Sequence, residues 1–227
     1  MPRPLNPKPK RQGLPARGTG LPSDVREELR RVAKRGAGER AAAALEKAVE
    51  LLAKGDNSRA VAEAERAKAL APRSPAVREV LGLGYYGQER FREALSEMQA
   101  YRRISGRADQ NHIIADAHRA LGRPDKAAEL AEEAVRAKIP DEAKAEAVVV
   151  GASALSDMGR TDQALALLHR FPTQSNLGRP FDLRIWYVTG DILDKAGRKE
   201  EAAKEFRKVV RHDSGAFDAA ERLAQLG

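Results

Sequence analysis

From about Glu39 onward, apolar and polar residues alternate with the period of a helix. Ala, Leu, Glu, Arg and Lys dominate, residues that lose little side-chain freedom in a helix. The run Val148-Val149-Val150 is β-branched but lies inside a helical pattern. Breaks fall at Lys54-Gly55-Asp56, Ala71-Pro72-Arg73-Ser74-Pro75, Gly122-Arg123-Pro124, Ile139-Pro140-Asp141, Gly159-Arg160-Thr161 and Gly197-Arg198-Lys199. Ser74 offers an N-cap oxygen ahead of a proline at the first helical position. Gly122 and Pro124 bracket a stop and a restart, and Asp141 and Thr161 are expected to be N-caps. Val25, Leu29 and Val32 predict a short helix over 23–35. Phe217, Ala220, Leu223 and Ala224 predict another over 216–226.

The regular punctuation carries a period. Ala60, Ala94, Ala127, Ala164 and Ala202 are separated by 34, 33, 37 and 38 residues. Twelve residues before each stands a small residue: Ala48, Gly82, Ala115, Ala152 and Gly190. Seven residues after stand Ala67, Tyr101, Ala134, Phe171 and Val209. Five before stand Gly55, Gly122, Gly159 and Gly197, with Glu89 as the exception. Antiparallel helices joined by a tight turn approach closely only where side chains are small. Leu51, Tyr85, Leu155 and Leu193 in first helices, and Met98, Leu168 and Phe206 in second helices, are expected to fill the space between.

This pattern resembles the tetratricopeptide repeat family, as about five degenerate repeats over residues 41–214. The residues that carry the resemblance are Leu81, Gly82, Tyr85, Phe91 and Ala94 in the second repeat. In the fifth they are Trp186, Gly190, Gly197, Ala202 and Phe206, and in the first Gly55, Ala60, Ala67 and Pro72. Repeats three and four depart from it, with His118 where the family favours Tyr and Phe171 where it favours Ala. The resemblance implies an all-α fold, a right-handed α-solenoid of antiparallel helix pairs closed by a C-terminal capping helix. The expected organisation is a disordered basic tail over 1–22, a short helix and linker over 23–40, and the solenoid over 41–227 with its cap at 216–226.

Charge changes the picture at the N-terminus. The chain of 227 residues has a net charge of +8, yet residues 1–40 hold 11 Lys and Arg against 4 Asp and Glu. Before Asp24 there is no acidic residue, while Arg3, Lys8, Lys10, Arg11 and Arg17 are basic and six prolines intervene. Such a segment is expected to be a solvated tail or an arm for an anionic partner such as nucleic acid.

The residues capable of chemistry are few. With no cysteine, thiolate metal sites and a cysteine nucleophile are excluded. The four histidines form no HExxH motif, and no Walker loop or GxSxG elbow occurs. His112 and Asp116 share a helix face as a possible pair, more simply read as surface polar residues. The expectation is no enzyme, no cofactor and no metal. It is instead a cytoplasmic, non-membrane protein-interaction scaffold that takes a peptide or partner helix in its concave groove. The alternative is an RNA- or ribosome-associated factor using the arm.

In the resembled family the groove is lined by first-helix positions. Here these are Leu45, Val49, Leu52, Glu79, Leu83, Tyr86, His112, Asp116, Arg119, Val149, Ser153, Ser156, Tyr187, Asp191 and Asp194. The candidate binding residues among them are Tyr86, His112, Asp116, Arg119, Tyr187, Asp191 and Asp194. Leu45 and Val49 stand where the resembled family's carboxylate clamp uses Lys and Asn, so that clamp is not expected. The insertion 172–182, with Arg179-Pro180-Phe181, is either a contact site or a tolerated loop.

Overall fold

The computed structural model describes residues 20–174 and 176–226. Among these it contains twelve helices and no strand. They are α1 (Ser23–Val32), α2 (Gly38–Ala53), α3 (Asn57–Leu70), α4 (Pro75–Gly87), α5 (Phe91–Ser105) and α6 (Asn111–Ala120). Then follow α7 (Pro124–Arg136), α8 (Asp141–Asp157), α9 (Thr161–His169), α10 (Pro180–Lys195), α11 (Lys199–His212) and α12 (Ala219–Leu226). Each predicted break is a helix boundary. The pairs α2/α3, α4/α5, α6/α7, α8/α9 and α10/α11 pack internally, and each docks on the next.

The predicted period is the packing period. Ala48, Gly82, Ala115, Ala152 and Gly190 are all buried, as are the five alanines that define the repeat. Tyr101, Met98 and Phe206 fill the space between helices and are essentially inaccessible. An ideal Cβ on Gly82 would lie 2.7 Å from Met98 Cγ, and one on Gly151 2.2 Å from Ala131 Cβ. A side chain at Gly151 would therefore force the helices apart, and one at Gly82 would require Met98 to move.

Four boundaries differ from the expected ones. Helix α1 stops at Val32 because Ala33 turns extended and Lys34 N–H donates to Leu70 O at 2.9 Å. Asp141 and Thr161 are first helical residues rather than N-caps, which are Pro140 and Arg160. The cap helix begins at Ala219 because Phe217 takes a left-handed φ of 58°. Ser74 does cap α4, its Oγ accepting from Val77 N–H at 3.2 Å.

Helix α1 covers the first repeat. Leu29 is wholly buried and Leu21 nearly so, each such side chain contributing roughly 1.5–3 kcal/mol. Arg26 pairs with Glu46 at 2.9 Å, and Ser74 Oγ donates to Glu28. Residues 1–19, most of the tail expected over 1–22, lie outside the described residues, while Leu21, within that expected tail, is packed on the solenoid.

The first helices approach one another along the array, α2 to α4, α4 to α6, α6 to α8 and α8 to α10. The second helices make no comparable contact and meet through long side chains such as Lys68 and Glu97, paired at 2.9 Å. Crowding on one side and splaying on the other make the first helices the inner face of a curved array.

Candidate functional site

From α4 onward the inner face carries a chain of polar contacts from one first helix to the next and finally to α12. Gln110 Nε2 donates to Glu79 Oε1 at 2.6 Å. Tyr86 donates its phenol hydrogen to Asp116 Oδ2. Arg119 donates to Asp116 Oδ1 at 2.9 Å and, across to α8, to Asp157 Oδ2 at 3.0 Å. Arg184 on α10 pairs with Glu146 on α8 at 2.9 Å. Tyr187 Oη donates to Asp218 at 2.6 Å, and Arg222 of α12 reaches Asp191 at 3.1 Å and Asp194 at 2.7 Å. Apart from Arg119 and Asp116 within α6, partners stand 28–38 residues apart, about one repeat.

These contacts place every candidate groove residue, while the arm residues Arg3, Lys8, Lys10, Arg11 and Arg17 lie outside the described residues. Tyr86, Asp116 and Arg119 come together at the middle of the face. His112 lies on the same helix but is turned to the carbonyl of Asp109, its Nδ1 3.2 Å from that oxygen. The possible His112–Asp116 pair is therefore replaced by two separate interactions. Tyr187, Asp191 and Asp194 form a second group under α12, where Phe217 leans on the Tyr187 ring at 4.6 Å.

Openness is where the expected groove needs correction. Asp116 and Arg119 are 1% and 4% exposed, and Leu45, Val49, Leu52, Val149 and Ser153 are buried as well. The first helices approach so closely that these side chains interlock between neighbours rather than face a channel. Glu79, Leu83, Tyr86, His112, Ser156, Tyr187, Asp191 and Asp194 remain partly open.

Burial sets the protonation states. The carboxyl of Glu79 is pushed up to about 7 by desolvation, against the Gln110 hydrogen bond. Burial also raises Glu146, with Arg184 opposing. Desolvation pulls the His112 imidazole down to about 4, so it is neutral at pH 7. Desolvation first, then the Asp116 charge and hydrogen bond, raises the Tyr86 phenol, which stays a donor. The face thus offers a neutral imidazole, a hydroxyl, paired charges and the apolar Leu83.

The insertion is folded back on the solenoid. Asp182 is fully buried and accepts from Arg179 N–H at 3.1 Å and from Arg179 Nε at 2.7 Å. Phe181 meets Phe171 edge-on at 5.7 Å, and Trp186 Nε1 donates to Thr173 Oγ1 at 3.2 Å. At its tip Leu177 is 56% exposed.

Gly82, Gly84 and Gly87 reproduce the G-x-G-x-x-G spacing, but all three lie within α4. A Cβ there would strike Met98, Val61 and Asn57 respectively. The nucleotide loop needs a strand before it and a helix N-terminus after it, so here the spacing serves packing. Among the described residues no group of three or more His, Asp or Glu could hold a metal ion, and no helix is long and apolar enough to cross a membrane.

The tetratricopeptide repeat profile matches residues 150–221. The array has the fold of tetratricopeptide repeat solenoids, and its C-terminal part matches that family in sequence. Among solved structures, a thermophilic tetratricopeptide repeat protein of Thermus thermophilus is 18% identical with a TM-score of 0.61, over 82% of this chain and 98% of that one. YrrB, a tetratricopeptide repeat protein with an unusual peptide-binding site, is 20% identical with a TM-score of 0.55, over 78% and 89%. The apo quorum sensor NprR of B. thuringiensis is 14% identical with a TM-score of 0.67, over 88% and 62%. At these identities the likeness is one of fold. No curated protein sequence matches the chain.

Proposed function

We propose that this protein is a non-enzymatic interaction scaffold that holds an extended peptide or partner helix along its inner face. The observation that carries the reading is the partly open strip of Glu79, Leu83, Tyr86 and His112 on consecutive first helices. Around it, polar groups already fixed by hydrogen bonds need little further ordering to receive a ligand. The unusual peptide-binding site of YrrB is consistent with such a use of the fold. The test is site-specific photocrosslinking. A benzophenone amino acid replaces Leu83 or Ser156 on first helices, or the exposed Ala62 or Gln163 on second helices. Discrete adducts from the first pair alone support the reading. Adducts from the second pair alone, or equally from all four, overturn it.

The second reading, an RNA- or ribosome-associated factor, is favoured by the charge asymmetry: residues 1–23 carry no acidic residue. In that case affinity resides in Arg3, Lys8, Lys10, Arg11 and Arg17 and is released by salt.

A further inference from the structure

The buried hydrophobic core of the solenoid divides into clusters, bridged near its middle by the partly buried Leu83, Tyr86 and Leu130. One cluster runs from Leu21 to Ala94, covering α1 to the start of α5. Another runs from Ala131 to Ala219, covering α7 to α12. Between them lie two small clusters, one of Leu95, Met98, Ile113, Ile114 and Ala117, the other of Ala115, Ala127, Val150 and Ala154.

Helix α6 sits at this junction, and two of its packing positions are polar. Counting back sixteen residues from each repeat-defining alanine gives Ala44, Arg78, Asn111, Val148 and Trp186. Counting back nine gives Leu51, Tyr85, His118, Leu155 and Leu193. Repeat three therefore has Asn and His where its successors have Val or Trp, and Leu. Both amide atoms of Asn111 and the Nδ1 of His118 are buried without a hydrogen-bond partner in the protein. A buried polar group so placed favours states in which it is released. On the outer side of the same junction a cavity of about 490 Å³ opens between α5 and α7, floored by Ile114, His118 and Leu130.

We infer that α6 is a hinge between two rigid blocks, latched across the inner face by the Tyr86–Asp116 and Arg119–Asp157 contacts. The latch joins α4 to α6 and α6 to α8, so it spans the junction from both sides. Opening at α6 changes the spacing between the first-helix strip of the N-terminal block and that of the C-terminal block. The inference stands whether or not the inner face is the binding surface.

The absence of cysteine allows clean double spin-labelling of the full chain. Labels at Ala62 and Lys204 report across the hinge, and labels at Glu27 and Ala62 report within the N-terminal block; all three sites are exposed. The expected result is a broad or two-component distance distribution for the first pair and a narrow one for the second. Combining Asn111→Val with His118→Tyr, residues the chain itself uses at these positions, should narrow the first pair. Asp157→Ala should broaden it. A first pair as narrow as the second in the unsubstituted protein overturns the hinge, and that comparison needs no core variant to fold.

Discussion

Glu89 and Gly122 stand at the same turn of consecutive repeats and share a left-handed backbone, with φ of 59° and 73°. Gly55, Gly159 and Gly197 hold the equivalent turns at 79°, 73° and 76°. A Cβ in this region crowds the following carbonyl oxygen, so the second repeat keeps the turn at a conformational cost. Glu89→Gly is expected to stabilise the protein by roughly 0.5–1 kcal/mol, after the added entropy of the unfolded chain is subtracted. Denaturant melts of the two proteins check this, and a lower midpoint for the variant would contradict it.

The helix crossings predict a ranking. Gly151→Ala places a methyl 2.2 Å from the Ala131 Cβ, which has no rotamer to retreat into. Gly82→Ala meets Met98, whose side chain can bend away. The first is expected to cost about 1–3 kcal/mol and the second less. Equal or inverted losses in urea would mean that backbone shifts, not contacts, decide. Gly190→Leu, driven into Phe206, should be at least as damaging as Gly151→Ala.

The buried latch gives a prediction about charge. Asp116→Ala leaves Arg119, 4% exposed, with its nearest carboxylate removed, and should cost about 3–5 kcal/mol. Tyr86→Phe removes one donor to a carboxylate that keeps Arg119, and should cost about 1–2 kcal/mol. The double variant should cost less than the sum, because both act on one network. Strict additivity in the melts would show that the two contacts are independent.

Glu79 should make stability fall with rising pH. Its ordinary value is 4.5 and its folded value about 7, so the unfolded chain ionises first. The penalty is absent below about 4.5, grows between 4.5 and 7, and is complete above 7. Glu79→Gln removes it, giving a gain at pH 8 of up to about 3 kcal/mol, reduced by solvent screening, and little gain at pH 4. His112, held neutral by burial, acts in the opposite sense, losing stability as pH falls from 6.5 towards 4. An equal effect of the Glu79 substitution at both pH values would contradict the assignment.

The legible part of the sequence was the part governed by steric size. Small residues at helix crossings recur because nothing else fits, so Ala48, Gly82, Ala115, Ala152 and Gly190 announced both the repeat and its burial. The candidate site was legible only as a set of positions. Periodicity places Tyr86, Asp116 and Arg119 on first helices, but whether such residues face solvent depends on how tightly neighbouring first helices close. That distance is set by the whole superhelix. Likewise nothing local to Tyr187, Asp191 or Asp194 indicates that α12 would supply Arg222, or the turn before it Asp218, to them. The Asn111 and His118 signal was present, visible by comparing each repeat with the others rather than with a residue-type rule.

The most direct test of the inner face as the binding surface compares the two places where affinity could reside. The crosslinked partner is titrated against the full chain and against a chain beginning at Gly20, with salt varied from about 0.05 to 0.5 M. If the inner face holds the partner, removing residues 1–19 leaves the dissociation constant within about twofold and the salt dependence shallow. Loss of binding on that deletion, with a steep fall in affinity as salt rises in the full chain, would contradict the account and assign the interaction to the basic arm.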